Sequence, residues 1–425
     1  MMAMAEGSLF TLDNGLRVIL QPRPGTATVA WRLLVAGGSA DDGARPGRAH
    51  FLEHALFRGS RRRSGEELQR AAEAMGGELS GGTTREYTSL DLVLPAGGSE
   101  GAAALLAELA FEPRFSPAEL EREKPVVLAE LGAASAGPER VLDLLLEALW
   151  GAHPLARPVR GDPAVVASLT AGELAAQHAR SFTPERMVLS VAGDFALPGT
   201  REEIQAAFAP WPSGGGPPET PPAPRPRRGS LFGVQAGPLA HLALGVSAPS
   251  LGHRQRTAVQ LAAHALGRGA SSHLYRAVRQ EAGLAYRVSA AYMPLAGTGY
   301  LAAWATCPQE AAPAAMRRMR QAWEQAAGQP PRGSDLAFWR AVGVGLLRRG
   351  FETNRAAAGI VGIELLLTGR AEGLAAAQRR IGSVTEEEME SAARRWLDRV
   401  PCQVVVGPAP PNAARMDAVR HRGGG

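Results

Sequence analysis

Apolar runs separated by polar segments predict β-strands in the first half of the chain. Runs rich in leucine and valine occupy residues 16–20 and 29–35, and an Asp-Asn-Gly sequence at residues 13–15 precedes the first of them. Such a sequence is typical of a β-hairpin turn. A further apolar run at residues 187–192 ends just before a glycine. We therefore expect strands near both ends of this half.

Two segments between these runs carry the signals of helix N-termini. Ser64 and Glu67 form a capping box, which predicts a helix that ends near Met75, before two glycines. The sequence SPAE at residues 116–119 predicts a second helix, with proline at its first position, that continues to about Glu130. The first half therefore mixes helices with strands.

A segment rich in proline and glycine lies at the midpoint of the chain. Residues 210–228 contain too many prolines for a helix or a central strand, and this composition is typical of a semi-stiff linker. The linker predicts two domains, an N-terminal one at residues 1–209 and a C-terminal one at residues 229–425.

The second half repeats the pattern of the first. It has strand-like runs at residues 239–246 and 404–406, and the segment 55–59 matches the segment 265–269 at an offset of 210 residues. The repetition predicts an internal duplication. Because helices and strands mix without a regular βαβ alternation, we expect an α+β fold. Each of the two homologous domains would have a mixed or antiparallel sheet packed with helices.

Composition and charge argue against several classes of function. The formal net charge is only +5 over 425 residues, Lys124 is the only lysine, and no basic stripe with interleaved aromatic residues suggests nucleic-acid binding. No apolar run reaches the roughly 18 residues of a membrane span. Cys307 and Cys402 lack metal-binding or redox spacing, and the N-terminal residues do not resemble a signal peptide. We expect a cytoplasmic protein that binds neither nucleic acid nor membrane.

Two of the nine histidines stand four residues apart, in the sequence RAHFLEHALFRG at residues 48–59. On a helix, His50, Glu53 and His54 share one face, and two neutral imidazoles at this spacing can bind Zn²⁺. Glu53 can accept a proton from a water molecule and return it to a leaving amine. This arrangement inverts the H-E-x-x-H zinc helix and indicates a zinc-dependent hydrolase.

A catalytic zinc ion needs a third protein ligand, and the second predicted helix offers two candidates. Glu123 and Glu130 lie two turns apart and can face the zinc helix together. One would bind the metal, and the other would hold a histidine in place by a hydrogen bond. The spacing alone leaves the assignment open.

The chain resembles the pitrilysin/insulinase family of zinc peptidases, and most of all its short members, such as the subunits of mitochondrial processing peptidase. The resemblance covers nearly the whole chain. It rests on Asn14-Gly15, AHFLEHALFRGS at residues 49–60, EREKPVVLAE at residues 121–130, Gly161-Asp162-Pro163, and SSHLYRAVRQEAGLAY at residues 271–286. It implies a zinc endopeptidase that hydrolyses unstructured peptides inside a dimeric chamber.

The resemblance also implies a role for each matching residue of the first half. The family's third ligand follows the second histidine at the separation of Glu130 from His54, which is 76 residues. Glu130 would therefore complete the zinc site with His50 and His54. Glu123 would then support a ligand, and Glu53 would be the general base.

In the second half, the resemblance implies substrate-binding residues instead of a metal site. An Arg and a Tyr seven residues apart, here Arg279 and Tyr286, reach the substrate carbonyl at the zinc site of a facing half. The counterparts of the zinc-helix residues are Gln260, Ala263 and His264, so one ligand and the base are missing. We expect His264 to be an ordinary helix histidine.

Two departures from the family pattern concern the substrate and the second helix. The family usually has an Asn-Ala pair where its edge strand binds a peptide, whereas this chain has Ser80, Gly81, Gly82 and Thr83. We expect these residues to pair with the substrate backbone, more loosely because of the glycines. Pro125 removes one hydrogen bond from the helix that carries Glu123 and is expected to kink it.

Three alternatives stay open at the level of sequence. Because the chain carries both the zinc residues and the Arg–Tyr pair, a homodimer is the simplest assembly, but some relatives form unequal pairs with a related chain. The chain could also be a non-catalytic or partner-dependent subunit of a heterodimeric processing peptidase. A phosphate site at residues 267–272 lacks the G-K-[ST] ending that would hold phosphates.

Overall fold

The computed structural model describes residues 8–134, 138–214, 216 and 221–408. Part of the proposed linker, residues 215 and 217–220, therefore lies outside the described residues, as do residues 1–7 and 409–425. The strands and helices of the first half are β1 Leu9–Thr11, β2 Arg17–Pro22, β3 Thr28–Ala36, α1 Arg48–Leu56, α2 Gly65–Ala74, β4 Glu78–Thr83, β5 Tyr87–Pro95, α3 Ala102–Phe111, α4 Pro117–Ala134, α5 Pro138–Trp150, α6 Pro163–Ser168, α7 Ala171–Ser181, β6 Met187–Gly193 and α8 Leu197–Phe208.

The second half has fewer strands and two π-helical segments. Its elements are β7 Ser230–Val234, β8 Leu239–Ala248, α9 Arg256–Gly267, a π-helical segment Tyr275–Gln280, β9 Arg287–Pro294, β10 Gly299–Pro308, α10 Ala312–Gly328, α11 Gly333–Gly350, α12 Asn354–Thr368, α13 Leu374–Gly382, α14 Glu386–Ala392, a second π-helical segment Ala393–Leu397, and β11 Cys402–Gly407.

Apart from the additional edge strand β1 of the first sheet, the two sheets have equivalent strand orders, which agrees with an internal duplication. The first sheet runs β1-β2-β6-β3-β5-β4 and the second runs β7-β11-β8-β10-β9. In the first sheet, β6 is parallel to β2 and antiparallel to β3. In the second sheet, β11 is likewise parallel to β7 and antiparallel to β8. The expected α+β fold of two homologous domains with mixed sheets is confirmed, while the residue boundaries of the domains stay a prediction.

The sequence-based elements of the first half agree closely with the structure. β1 and β2 form the expected hairpin across the Asp-Asn-Gly turn, and the apolar runs lie in β2, β3 and β6. Ser64 accepts a hydrogen bond from the Glu67 N–H, and the Glu67 side chain accepts one from the Ser64 N–H, so the capping box is confirmed. Helix α4 begins at Pro117 and passes through Pro125, but it ends at Ala134, four residues later than expected.

One helix of each half packs on the sheet of the other half. α12, from the second half, packs on the outer face of the first sheet, where Ala357, Val361 and Leu365 meet strands β2, β3 and β6. α5, from the first half, packs in the same way on the second sheet. The opposite face of each sheet is covered by helices of its own half. In the described residues, each sheet therefore packs against helices of both halves, and two of the hydrophobic cores contain residues of both halves.

Cys307 and Cys402 are buried and free. Among the described helices, none is both long enough and apolar enough to cross a membrane.

Candidate active site

Helix α1, which carries the two histidines, is fixed at its N-terminus by a buried aspartate. Asp42 accepts hydrogen bonds from the backbone N–H groups of Gly47 and Ala49, at 2.7 and 2.8 Å. Gly47 has a φ of 97°, and a β-carbon there would come within 2.7 Å of the Arg160 carbonyl oxygen. Only glycine fits this close, left-handed turn. The start of α1 is therefore held rigidly against the rest of the domain.

The side chains of His50, His54 and Glu130 converge on one point. Oε2 of Glu130 lies 3.6 Å from Nε2 of His50 and 3.7 Å from Nε2 of His54. Ligand atoms held by a tetrahedral zinc ion at 2.0–2.1 Å are about 3.3 Å apart. These two separations are close to that value, and the three ligand atoms all lie within 4.8 Å of one another. Within the described residues, this is the one group of three His, Cys, Asp or Glu side chains arranged to hold a metal. The donor set thus fits zinc.

His50 is held in the form that binds metal. Burial, followed by the nearby His54 and Arg160, lowers the pKa of His50 to about 3, so the ring is neutral at physiological pH. A neutral imidazole has the free nitrogen lone pair that a metal ligand needs. Its buried Nδ1 has no hydrogen-bond partner among the described residues, while its Nε2 faces Glu130.

Glu123 does not belong to the group formed by His50, His54 and Glu130, but it contacts one of its members, His54. Its Oε1 lies 2.9 Å from Nδ1 of His54, and its Oε2 lies 2.7 Å from Nη2 of Arg58. The Glu123 side chain is only 3% exposed, whereas that of Glu130 is 44% exposed. A His54 that donates its Nδ1 proton to Glu123 presents the Nε2 lone pair toward the metal position. Glu130 therefore belongs to the group that could hold a metal ion, whereas Glu123 contacts His54 on the other ring nitrogen.

Glu53 lies in a buried position between α1 and strand β4. Burial is the main reason why the pKa of Glu53 is raised to about 7, and nearby Glu130 raises it further, against the opposing effect of His54. Thr83 Oγ1 donates a long hydrogen bond of 3.5 Å to Glu53 Oε2. A carboxyl group that titrates near neutral pH can both accept and release a proton.

The four residues expected to bind the substrate form most of β4, an edge of the first sheet. Gly81 packs directly against Glu53, since a β-carbon at residue 81 would lie 2.4 Å from Glu53 Oε1. Thr83 contacts Glu53 as well, whereas Ser80 and Gly82 point to the opposite face of the sheet. Glu53, the expected general base, is therefore adjacent to the edge strand.

Arg279 and Tyr286 lie together in the second half. Arg279 Cζ is 5.2 Å from the ring centre of Tyr286 and 5.1 Å from that of Tyr275, so the guanidinium stands between two aromatic rings. Tyr286 is 73% exposed, and both residues line a cavity of about 360 Å³ next to Trp304. Among the described residues, no hydrogen bond, ion pair or ring contact joins either one to the zinc-site residues of the same chain.

The second half has no equivalent of the metal site within the part of the chain that the structure describes. His264, the counterpart of His54, contacts Gln260 through its Nε2 at 2.8 Å. Burial, followed by Arg268, lowers the pKa of His264 to about 4. It is a neutral histidine within α9, as expected.

Sequence reasoning missed two residues that position the site. Asp42 fixes α1 from outside the helix, and Arg58, two residues after the end of α1, holds Glu123. Arg58 was part of the motif at residues 48–59, but nothing in its spacing pointed to Glu123. An aspartate a few residues before a glycine-initiated helix is a weak capping signal that could have identified Asp42.

Two family models match the chain in succession. The model described as Insulinase (Peptidase family M16) matches residues 17–163, and the model described as Peptidase M16 inactive domain matches residues 168–336. The second match agrees with the loss of the zinc residues from the second half.

The relatives and solved structures agree with these matches. A Mycobacterium tuberculosis protein named as an uncharacterized zinc protease is 32% identical over 407 residues, 94% of this chain and 92% of its own length. Subunit 1 of the mitochondrial cytochrome b-c1 complex of Bos taurus is 29% identical, over 64% of this chain and 58% of its own length. The crystal structure of a peptidase M16 inactive domain from Pseudomonas fluorescens has the same fold, with a TM-score of 0.87 and 20% identity over 95% of this chain and 98% of that one. The chain belongs to the insulinase family of peptidases, family M16.

Proposed function

We propose that this chain is a zinc-dependent endopeptidase that hydrolyses unstructured peptides. The observation that carries the proposal is the convergence of His50, His54 and Glu130, with Glu53 buried beside them. The relatives named as zinc proteases support the same chemistry.

His50, His54 and Glu130 would hold the zinc ion. When bound, zinc polarises the scissile carbonyl and lowers the pKa of a water molecule. Glu53 takes the proton from the attacking water and passes it to the leaving amine, which its buried position beside the ligands permits. Glu123 and Arg58 keep His54 in the tautomer and orientation that this requires.

A peptide in extended form would add to the first sheet as a further strand. β4 ends the strand order of this sheet, and its residues Gly81 and Thr83 contact Glu53. The backbone groups of such an edge strand bind a peptide of almost any sequence, provided that it is unfolded. This geometry favours a substrate that is a flexible peptide and not a folded protein.

We further propose a homodimer that encloses the peptide in a chamber. Arg279 and Tyr286 are exposed and converge on a cavity, yet they make no contact with the zinc residues of their own chain among the described residues. In a dimer they would face the zinc site of the other subunit, where both side chains can donate hydrogen bonds to a developing oxyanion. The buried free thiols of Cys307 and Cys402 fit a reducing, cytoplasmic location.

The test is mass spectrometry of a mixed peptide pool incubated with the purified protein alone. We expect cleavage by the zinc-loaded wild type, loss of cleavage after chelation, and recovery when zinc is added back. Glu53→Gln should bind zinc but not cleave. Cleavage that persists in Glu53→Gln or in chelator would contradict the proposal.

The second candidate is a subunit that is inactive alone and depends on a related chain. The similarity to a cytochrome b-c1 complex subunit favours it, because that protein is named as part of a complex and not as a protease. Zinc binding without cleavage of any peptide by the purified protein would support this candidate. Cleavage by the purified protein alone would exclude it.

A further inference from the structure

The edge strand β4 has two faces, and only one of them belongs to the metal site. Leu79 points into the core beneath α1, and Gly81 and Thr83 contact Glu53 on that same side. Ser80 and Gly82 alternate with them and therefore point to the other side of the sheet. On this second side the sheet is covered by α12, which comes from the second half of the chain.

Arg355, the second residue of α12, contacts the edge strand from this side. Its Nη2 donates to Ser80 Oγ at 3.0 Å and lies 3.1 Å from Asp91 Oδ2. Asp91 is buried on the neighbouring strand β5, opposite Ser80, and also pairs with Arg32 at 2.9 Å. Two guanidinium groups thus share one carboxylate, which leaves a net positive charge at this point.

The guanidinium of Arg355 is available to a ligand. Its side chain is 43% exposed, and both of its bonds use Nη2, so among the described residues Nε and Nη1 have no partner. A guanidinium has five N–H donors in a planar fork, which suits a carboxylate. Arg355 can therefore bind a second carboxylate without releasing Asp91.

Free space lies beside this guanidinium along the strand. A β-carbon at Gly82 would have a single neighbour within 4 Å, Ser89 Oγ at 3.6 Å. Ser89 lies opposite Gly82 on β5, so the space is bounded by small polar side chains. A side chain of moderate size can enter here from a strand paired with β4.

We propose that Arg355 makes the peptidase select acidic side chains in its substrate, on the side of the bound strand that faces away from the metal. The inference rests on the proposed function, because it requires a peptide paired with β4. Side chains of adjacent strands on one face lie about 4.5–5.5 Å apart. An Asp or Glu of the substrate opposite Ser80 or Gly82 can thus reach Arg355, whereas a Lys or Arg there meets a like charge.

The proposal makes a periodic prediction, because substrate side chains alternate between the two faces. Peptides are derived from one that the wild type cleaves, or from a mixed pool if none is cleaved, with Glu, Gln or Lys placed at each position in turn. Their binding to zinc-loaded Glu53→Gln is measured by fluorescence anisotropy, so no turnover is needed. We expect Glu peptides to bind at least fivefold more tightly than Lys peptides at positions of one parity near the cleavage site, and about equally at positions of the other parity.

Variants at residue 355, each combined with Glu53→Gln, separate selectivity from a purely structural role. Arg355→Gln should abolish the preference for Glu, Arg355→Glu should reverse it toward Lys, and Arg355→Lys should retain part of it. Arg370→Gln removes the same charge about 20 Å away, beyond the far end of α12, and should leave the preference intact. Thermal unfolding of each variant checks that the Asp91–Arg32 pair keeps the sheet folded.

The outcomes distinguish the proposed selectivity for acidic side chains from the proposed peptidase activity on which it rests. Zinc-dependent cleavage without a preference for Glu, or a preference that survives in Arg355→Gln, would overturn the selectivity alone. A protein that neither cleaves nor binds any peptide when loaded with zinc would overturn the proposed function and the selectivity together.

Discussion

Glu123 and His54 are joined by a contact of 2.9 Å between Oε1 and Nδ1, and Arg58 holds the other carboxylate oxygen. The pair determines which nitrogen of His54 faces Glu130. It also explains why two glutamates of one helix, both facing the zinc helix, have different environments. Glu123 is buried between His54 and a guanidinium, whereas Glu130 is partly exposed at the open side of the site.

Replacing Glu123 should weaken zinc binding without removing a ligand atom. We expect Glu123→Gln to lower zinc affinity about 10- to 100-fold, because the neutral amide holds the Nδ1 proton of His54 less strongly. The measurement is a competition titration with a chromophoric chelator. Glu121→Gln is the control, since Glu121 lies on the same helix, is 68% exposed and pairs with Lys124. Equal zinc affinity in the two variants would contradict a supporting role for Glu123.

Gly81 should be necessary for the position of the general base. In Gly81→Val the new side chain would meet Glu53 Oε1 at 2.4 Å and Phe57 Cε2 at 2.7 Å, so the carboxylate must move. Since a displacement of about 1 Å can cost about 100-fold in rate, we expect kcat to fall at least tenfold. Zinc content, measured by atomic absorption, should stay at one ion per chain. A kcat within twofold of the wild type would show that Glu53 tolerates the shift.

Removing the charge of the partly buried Glu86, at the contact between the halves, should change how stability depends on pH. Glu86 accepts a hydrogen bond from the Ala296 N–H, and burial raises its pKa to about 7, with a smaller contribution from Asp41. Between pH 4.5 and 7 the folded protein holds a proton that the unfolded chain has released. The contribution of Glu86 to stability therefore falls as pH rises through this range and is level above it.

Glu86→Gln should remove this contribution, because its amide oxygen can still accept from the Ala296 N–H and carries no charge. We expect it to be more stable than the wild type at pH 8, by at most about 3 kcal/mol, and similar at pH 4.5. Urea unfolding at both pH values measures the difference. The exposed Glu352→Gln provides the matched control. A stabilisation that is the same at both pH values would mean that the charge of Glu86 is not its source.

Loss of the aspartate that caps the zinc helix should affect both folding and the metal site. Asp42→Ala leaves two buried N–H groups at the start of α1 without their acceptor, which should cost about 2 kcal/mol of unfolding free energy. Zinc affinity should fall as well, because His50 lies in the same first turn of α1 and directly follows Ala49. Thr385→Ala removes the cap of α14 and should cost about 1 kcal/mol with no effect on zinc. Unchanged zinc affinity in Asp42→Ala would show that α1 keeps its position without this cap.

The sequence predicted the elements whose signals are local. The capping box of Ser64 and Glu67, the apolar runs and the spacing of His50 and His54 depend on near neighbours along the chain, so each could be recognised. The contact of Arg355 with Ser80 joins residues 275 positions apart and has no local signal. The same holds for Glu86 and Ala296. Contacts between the halves require the three-dimensional fold.

The sequence also could not distinguish Glu123 from Glu130 by spacing. Both lie on one face of α4, and only the environment of each carboxylate differs. That environment is created by Arg58, which follows another helix, and by the depth at which α4 packs against α1. Distances of this kind depend on packing and are not encoded in a helical repeat.

Helix α5 packs on the second sheet and α12 packs on the first, which affects whether the chain can be cut into two folded fragments. A protein cut within residues 210–228 would not release two independent modules, because each fragment would keep a helix that belongs on the other's sheet and would expose an apolar sheet face. The fragments should instead reassociate as a complementing pair. Each half is therefore expected to need the other for a complete hydrophobic core, so neither should fold as a unit that can be moved into another protein.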